Sequence, residues 1–166
     1  MRLRAPANRV SGRAVAQWGL EYFAAWLTIS LLSWGIVEWF AGAGLRPLPK
    51  AAMDWLPVVV AGMGGLTVVV APLWRYRVHR WEVSSDVVYT RTGWFSRHWL
   101  LVPVSRIQTV DTGQGWVERV LGLATMRVHT ASHLGSSKVS GLPLETATRL
   151  AGELARRAHD LRDDAT

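Results

Sequence analysis

Few residues of this chain have types and spacings that could do chemistry, and two histidines come first. His129 and His133 are four residues apart, a spacing that would direct two imidazoles to one face of a helix for a metal ion such as zinc. However, the residues around His129 alternate like a strand, those around His133 form a loop-like segment, and no carboxylate accompanies the pair. We therefore predict no metal site here.

Other catalytic patterns are equally weak. The chain has no cysteine, which excludes disulfides and thiolate sites. No serine lies in the Gly-x-Ser-x-Gly pattern of a nucleophile elbow. The glycine-rich pieces at residues 42–44 and 62–65 lie in or beside apolar segments, whereas a phosphate-binding loop needs a strand before it and a helix after it. The sequence therefore predicts a protein that is not an enzyme and uses no cofactor.

Two long apolar runs dominate the first half of the chain. Residues 18–40 carry only Glu21 and Glu38, and residues 56–74 carry no charge. Each run is long enough to cross about 30 Å of hydrocarbon as a helix. Buried core helices are one alternative and, for the first run, a signal peptide is another, but the rest of the chain has too little polar sequence to enclose both runs. We predict two transmembrane helices, residues 18–40 and 56–74.

The positive charges indicate how this hairpin is oriented. The net charge is +7, and its excess lies in residues 1–17 and after residue 75, whereas the connecting loop, residues 41–55, holds only Arg46 and Lys50. The positive-inside rule places both termini in the cytoplasm. The prediction is a multi-pass protein of the plasma (inner) membrane with a basic cytoplasmic tail, an external loop and a cytoplasmic domain from residue 75 to 166. Indole rings favour membrane interfaces, and the predicted span ends carry Trp18, Trp39, Trp55 and Trp74.

The cytoplasmic domain is predicted to be α+β. Short β-rich runs broken by turn residues at 84–86 and 92–93 favour antiparallel strands, and Pro103 suits an edge strand. A short helical turn is expected near residues 115–122, then a strand, then a loop or hairpin tip at 133–141. The last segment is an amphipathic helix that packs on a sheet or, alternatively, lies flat on the bilayer. Its predicted apolar face comprises Leu144, Ala147, Ala151, Leu154, Ala158 and Leu161. Predicted core residues around the helical turn are Ile107, Val110, Val117, Val120, Leu121 and Leu123.

Particular residues of this domain also follow a known pattern. Arg106-Ile107-Gln108 precedes a strand, Trp116 and Arg119 lie in the helical turn, and Gly122-Leu123-Ala124 leads into the next strand. From the first span to about Leu154, the chain resembles the bacterial pleckstrin-homology-like (PH-like), membrane-flanking domain family. The resemblance implies two transmembrane helices followed by a PH-like β-barrel or sandwich, made of two bent antiparallel sheets and capped by a C-terminal helix. Fold analogy transfers little function.

We expect the chain to be a membrane-anchored adaptor that meets another protein, with a role in envelope maintenance or stress tolerance. Its partners would be the lipid bilayer and either a second copy or another membrane protein of the same family. Nucleic acid is not expected, because the soluble part carries only a small positive excess. For Arg106, Gln108 and Arg119, the first interpretation is that they form hydrogen bonds that tie the helical turn to the sheet, and the alternative is that they are interaction-surface candidates.

The alternative function is a lipid-sensing module that binds anionic phospholipid headgroups. Basic residues that follow the second span, helped by nearby Trp94 and Trp99, would contact the headgroups. The lipid-headgroup candidates are Arg75, Arg77, Arg80, Arg91 and Arg97.

Overall fold

A computed structural model describes residues 4–45, 49–93, 97–131 and 136–163. The chain divides into two compact units, one comprising Trp18–Leu73 and the other comprising Met1–Gln17 together with Trp74–Thr166. The elements, in chain order, are β1 (Asn8–Arg9), α1 (Arg13–Gly42), α2 (Lys50–Val78), β2 (Arg80–Val83), β3 (Val87–Gly93), β4 (Arg97–Pro103), a 3-10 turn (Val104–Arg106), β5 (Ile107–Gly113), α3 (Trp116–Leu121), β6 (Leu123–Thr130), β7 (Ser137–Pro143) and α4 (Leu144–Asp163).

The first unit contains most of α1 and α2, which are both long and apolar enough to cross a membrane. A Cβ atom on Gly64 would lie 3.1 Å from the side chain of Trp26, so the two helices approach closely only because this position is glycine. Most large apolar side chains on these helices are exposed within the protein, as expected for surfaces that face lipid. Trp39 and Trp55 are both 64% exposed, but Trp18 is only 1% exposed, so its ring packs within the protein instead of facing an interface.

The second unit contains two antiparallel sheets. The first sheet has the order β1-β2-β3-β4 and the second has the order β5-β6-β7. The β2–β3 turn forms as predicted, because the Ser84 hydroxyl accepts a hydrogen bond from the Val87 amide at 3.2 Å. Pro103 ends β4 at the edge of the first sheet, where its missing amide proton costs no ladder hydrogen bond. The predicted α+β architecture is confirmed.

The core of this unit lies between the sheets and α4. It comprises Val88, Val102, Val104, Ile107, Ala124, Met126, Val128, Val139, Leu142, Ala147, Leu150, Leu154 and Ala158. The terminal helix therefore packs on the sheets, as predicted. The residues at the two ends of its predicted apolar face are not part of this core, since Leu144 is 42% and Leu161 is 43% exposed.

Three further features differ from the sequence predictions. Val120 was predicted to be a core residue but is 81% exposed, because the six-residue α3 turns Val117 inward and Val120 outward. Most of the predicted loop at 133–141 is a strand, since β7 begins at Ser137. The glycine and serine residues of β7 are typical of loops and hide its strand character in the sequence. Gly141 has a φ of 76°, a conformation in which only glycine is free of strain, and it lies close to an irregularity in the β6–β7 pairing. Finally, β1 was not predicted at all.

Candidate functional site

The N-terminal arm, residues 4–12, is attached to the sheets. In β1, Asn8 pairs with Trp81 and Arg9 pairs with Arg80 of β2. Beyond β1, the Ser11 amide donates to the Gly141 carbonyl of β7 at 2.9 Å. The arm also contributes to the interior, because Val10 is only 4% exposed. Both flanks of the α1–α2 hairpin therefore build the same unit.

Further contacts hold the start of the arm. The Arg4 guanidinium forms an ion pair with Glu82 at 2.6 Å, and the same carboxylate accepts a hydrogen bond from the Ala7 amide at 2.9 Å. The Tyr89 hydroxyl donates to the Arg4 carbonyl at 2.5 Å. The sequence offered little sign of this arrangement, because two strand residues carry no detectable periodicity and their partner strand begins about seventy residues later in the chain.

A row of basic residues crosses the first sheet beside the last turn of α2. Arg9 in β1 lies opposite Arg80 in β2, and Arg80 lies opposite Arg91 in β3. Arg91 in turn lies opposite Trp99 in β4. Side chains directly opposite one another in an antiparallel sheet share a face, so these three arginines and Trp99 form one row, which we call the arginine row. Like charges in such positions repel, and a row of this kind is stable only if something else compensates the charge.

Part of that compensation comes from the protein itself. Arg91 donates from Nε to the carbonyl oxygen of Val78 at 3.1 Å, and this carbonyl belongs to the last turn of α2, where the helix dipole favours a cation. Arg9 lies with its guanidinium carbon 6.0 Å from the centre of the Tyr76 ring, within reach of a cation–π interaction. By contrast, the buried Nε of Arg80 has no hydrogen-bond partner in the described part of the chain.

His79 is a buried histidine whose pKa is lowered by its surroundings. It is the single residue between α2 and β2, and its side chain is buried. Burial, followed by the charges of Arg75 and then Lys138, lowers the pKa of His79 from 6.5 to about 4. Its imidazole is therefore neutral at pH 7. Burial first, and the neighbouring cations second, therefore disfavour a further positive charge at the junction of α2 with the sheet.

The five lipid-headgroup candidates are not equivalent. Arg77 is exposed in the last turn of α2, whereas Arg75, Arg80 and Arg91 are half-buried. Arg97 begins β4 opposite Gly93, and its side chain lies outside the described part of the structure, as does the neighbouring Trp94. The structure therefore brings Arg80 and Arg91 together in one row and places Arg75 and Arg77 just before it in the chain.

The three interaction-surface candidates do not form one cluster. Gln108 lies at the start of β5 and Arg106 ends the 3-10 turn just before it, whereas Arg119 lies in α3, which follows the other end of that strand. A strand of seven residues spans roughly 20 Å. All three side chains are exposed, and none of them makes a hydrogen bond or an ion pair with another described residue. This geometry does not support the explanation that they tie the helical turn to the sheet.

That structural task falls to a residue that sequence reasoning missed. Glu118 is only 7% exposed and its carboxylate accepts two hydrogen bonds, from the Thr125 hydroxyl at 2.6 Å and from the Gly115 amide at 2.8 Å. The first bond fastens α3 to β6 and the second caps the start of α3. The sequence signal was weak, since an acidic residue in a short amphipathic helix is usually solvated.

The polar side chains show no arrangement typical of a metal centre. Among the described residues, no three of His, Cys, Asp and Glu side chains come together. Asp111 is paired with Arg127 at 3.3 Å and with His129 at 3.0 Å on the exposed face of the second sheet. His133, the other histidine of the spacing noted in the sequence, lies outside the described residues.

Comparisons with known proteins agree with this architecture. A family model described as a bacterial PH domain matches residues 19–158. The chain is also 34% identical over 99 residues to the UPF0699 transmembrane protein YdbS of Bacillus subtilis (strain 168), which covers 60% of this chain and 61% of the relative. The chain thus spans about three fifths of the length of that curated relative. No solved structure matches it.

Proposed function

The chain belongs to the bacterial PH domain family and is a membrane protein, and from this premise we propose that it acts as a non-enzymatic adaptor. The α1–α2 hairpin anchors it in the plasma membrane, and the PH-like unit at the cytoplasmic face assembles with a second copy or with another membrane protein of the same family. A contribution to envelope maintenance or stress tolerance would follow from that assembly.

The main support for this proposal is that the residues on both sides of the α1–α2 hairpin contribute to the PH-like unit. Residues 1–17 and 74–166 form one compact unit, so both flanks lie on the same side of any bilayer that α1 and α2 cross. The positive charges on these flanks favour the cytoplasmic side. A domain that is joined to the membrane at two points has less orientational freedom to lose when it assembles with a partner, which lowers the entropic cost of assembly.

The exposed start of β5 supplies a candidate contact surface for the partner. Arg106 and Gln108 project there without partners among the described residues. Arginine is enriched in protein interfaces, where its planar guanidinium makes several hydrogen bonds. Because the chain lacks cysteine, a Gln108→Cys variant can carry a single photo-crosslinker.

The test uses this full-length variant in native membranes at native and raised copy number. We expect a cross-linked species, and we expect an added Arg106→Glu substitution to weaken it. Arg149→Cys, at an exposed position on α4, serves as the matched control. Recovery of monomer alone at every copy number contradicts the adaptor proposal.

The arginine row favours a second candidate function, the recognition of anionic phospholipid headgroups. Three adjacent strands present Arg9, Arg80 and Arg91 side by side, and the Nε of Arg80 is buried without an acceptor among the described residues. Phosphate oxygens accept hydrogen bonds from guanidinium N–H groups, and the three side chains of the row are exposed or half-buried. Each arginine near an anionic leaflet contributes on the order of 1 kcal/mol of attraction.

Lipid selectivity of the full-length chain tests this candidate. In mild detergent, added phosphatidylglycerol should raise the unfolding temperature more than added phosphatidylcholine does. Arg80→Gln should reduce that difference, whereas Arg149→Gln should leave it unchanged. Equal stabilisation by the two lipids would remove the headgroup function and leave the adaptor proposal intact.

A further inference from the structure

The strands at the edges of the two sheets differ in how well they are protected from pairing with another chain. An edge strand presents unpaired N–H and C=O groups, and most proteins block it by making the strand very short, by a bulge, by a charged side chain or by a covering element. In the described part of the chain, the edge strands are β1 and β4 of the first sheet and β5 and β7 of the second.

Three of these four edges are blocked. β1 contains only two residues. β5 packs against α4, has an irregular register between Ile107 and Thr109 and carries the exposed Asp111. β7 has an irregular register beside Gly141, whose carbonyl already accepts the Ser11 amide. None of the three therefore offers a long, regular and unoccupied strand to a partner.

β4 has the opposite character. Its seven residues, Arg97–Pro103, pair with β3 in an unbroken register, and no described strand pairs with its other side. Val102 belongs to the core and Leu100 packs against it. Trp99 and Leu101 alternate with these two and are 36% and 48% exposed. The strand is thus held firmly on one side and open on the other.

The sequence of β4 does not protect this edge. Residues 99–102 carry no charge, and Pro103 removes an N–H group only from the last position of the strand. A long, regular and apolar edge strand is a site for pairing with another strand, as in β-augmentation, where backbone hydrogen bonds supply the affinity. The chemistry of this edge therefore fits an extended strand.

β4 of a second copy is complementary to this edge. In an antiparallel pair with twofold symmetry, the register that pairs all seven residues places Leu100 opposite its own equivalent and Trp99 opposite Leu101 of the second copy. Arg97 would lie opposite Pro103, so no like charges face each other, an arrangement that would be unfavourable. The Trp–Leu pair occurs twice and removes apolar surface from water.

We propose that β4 is a dimerisation edge, at which the β4 strands of two copies pair in antiparallel orientation and join the two four-stranded sheets into one. This inference rests on the proposed adaptor function and deepens it, because it names the partner as a second copy of this chain and the contact as a backbone ladder.

Disulfide formation between two single-cysteine variants tests the pairing and its register, since the chain lacks cysteine. Residues directly opposite in an antiparallel pair have Cα atoms about 4.5–5.5 Å apart, which a disulfide can bridge, whereas a diagonal separation of about 7–8 Å is too long. Full-length Trp99→Cys and Leu101→Cys chains with tags of different size are co-expressed, and the isolated membranes are oxidised. Leu101→Cys co-expressed with Arg149→Cys, at an exposed position on α4, is the control.

We expect the mixed disulfide between positions 99 and 101 to be several-fold more abundant than the control disulfide. It should exceed to a similar extent the disulfides between two Trp99→Cys copies or two Leu101→Cys copies, because those positions are diagonal in the proposed register. A mixed disulfide no more abundant than the control would overturn the proposal. Equal amounts of all combinations of positions 99 and 101 would do the same, since they would indicate random collision.

A charge on the edge provides a second measurement that does not use cysteine. We expect Leu101→Lys to lower the dimer fraction in mild detergent several-fold, as counted by photobleaching of a fluorescent tag, because a lysine on an edge strand disfavours pairing. Thr112→Lys, at an exposed position on the edge strand β5, should leave the dimer fraction unchanged. A urea titration checks that both variants are folded, and an unchanged dimer fraction for folded Leu101→Lys would contradict the strand pairing.

The photo-crosslinker at position 108 reports on the adaptor function separately. Capture of a second copy or of another membrane protein at that position, without the mixed disulfide between positions 99 and 101, would overturn the strand pairing alone. Monomer in every assay would overturn both proposals.

Discussion

The buried Glu118 should be the residue on which the position of α3 most depends. Replacing it with alanine removes two hydrogen bonds to a charged acceptor and leaves the Thr125 hydroxyl, in a residue only 4% exposed, without its partner. Hydrogen bonds to charged groups contribute about 1.5–3 kcal/mol each, and an unsatisfied buried group costs about 1–3 kcal/mol. Removal of the carboxylate also relieves its own desolvation cost, so we expect Glu118→Ala to lower the free energy of unfolding by about 3 kcal/mol.

A double-mutant cycle separates this interaction from other effects of the substitutions. Thr125→Val keeps the shape of the side chain and removes only the hydroxyl, and we expect it to cost about 1–2 kcal/mol. Because the two residues are in contact, the double variant Glu118→Ala/Thr125→Val should cost less than the sum of the single variants by about 1–2 kcal/mol. Glu145→Ala, at an exposed position in the first turn of α4, should change the stability by less than about 1 kcal/mol.

The assay is a urea titration of the full-length chain in a mild detergent, with pulse proteolysis to report unfolding of the PH-like unit. Additivity of the two single variants to within about 0.5 kcal/mol would refute the reasoning, because it would mean that the 2.6 Å contact between the two side chains contributes no coupling. A loss for Glu118→Ala no larger than that for Glu145→Ala would do the same.

Three further predictions use the same assay. Val10→Ala should destabilise the PH-like unit by about 2 kcal/mol, because the side chain is 4% exposed and two buried methyl groups are lost; an unchanged midpoint would show that the N-terminal arm does not support the sheets. His79 has a pKa of about 4 in the folded chain and about 6.5 when unfolded, so between these pH values only the unfolded chain takes up a proton. The free energy of unfolding should therefore fall by about 3 kcal/mol as the pH drops through that window. The His79→Gln variant should lose this part of the pH dependence. Leu154→Ala, at a fully buried position, should lower the free energy of unfolding by about 2–5 kcal/mol. Leu161→Ala, at a position 43% exposed, should lower it by less than about 1 kcal/mol. Equal decreases for the two variants would contradict the described packing of α4.

The elements with strong local signals could be predicted from the sequence. The two apolar helices, the strands on either side of the Ser84–Asp86 turn and the amphipathic helix α4 each carry their own periodicity, and the structure contains all of them. The Arg106-Ile107-Gln108 pattern also led to the correct family. Local periodicity and turn chemistry were sufficient for the α+β class.

The features that depend on distant contacts could not be predicted. The pairing of Arg9 with Arg80 joins residues on opposite sides of two long helices, and nothing in the dipeptide of β1 indicates a strand. The outward position of Val120 follows from the inward position of Glu118, which is determined by the Thr125 hydroxyl on another element. In a helix of six residues, one buried polar contact outweighs the hydrophobic pattern, because there are too few positions for the pattern to be decisive.

The N-terminal arm changes which experiments can address the function. A fragment that begins at Tyr76 contains β2 through α4 but lacks β1, the buried Val10 and the ion pair between Arg4 and Glu82. In such a fragment the edge of β2 would be unpaired and available for non-specific strand pairing. Binding by the fragment to liposomes or to other copies would then reflect this exposed edge as well as any native surface. The arginine row would also lose Arg9, and for both reasons the proposals are tested on the full-length chain.

The lengths of the connections lead to the same conclusion about the intact protein. One residue, His79, separates α2 from β2, and residues 10–12 separate β1 from α1. At a maximum of about 3.6 Å per residue, neither connection leaves much chain for the sheets to move relative to the helix ends to which they are joined. Both connections also end in the unit that contains the sheets, since residues 1–17 and 74–166 form one compact unit. Removal of either connection would therefore alter that unit, and the adaptor proposal is best tested with both of them intact.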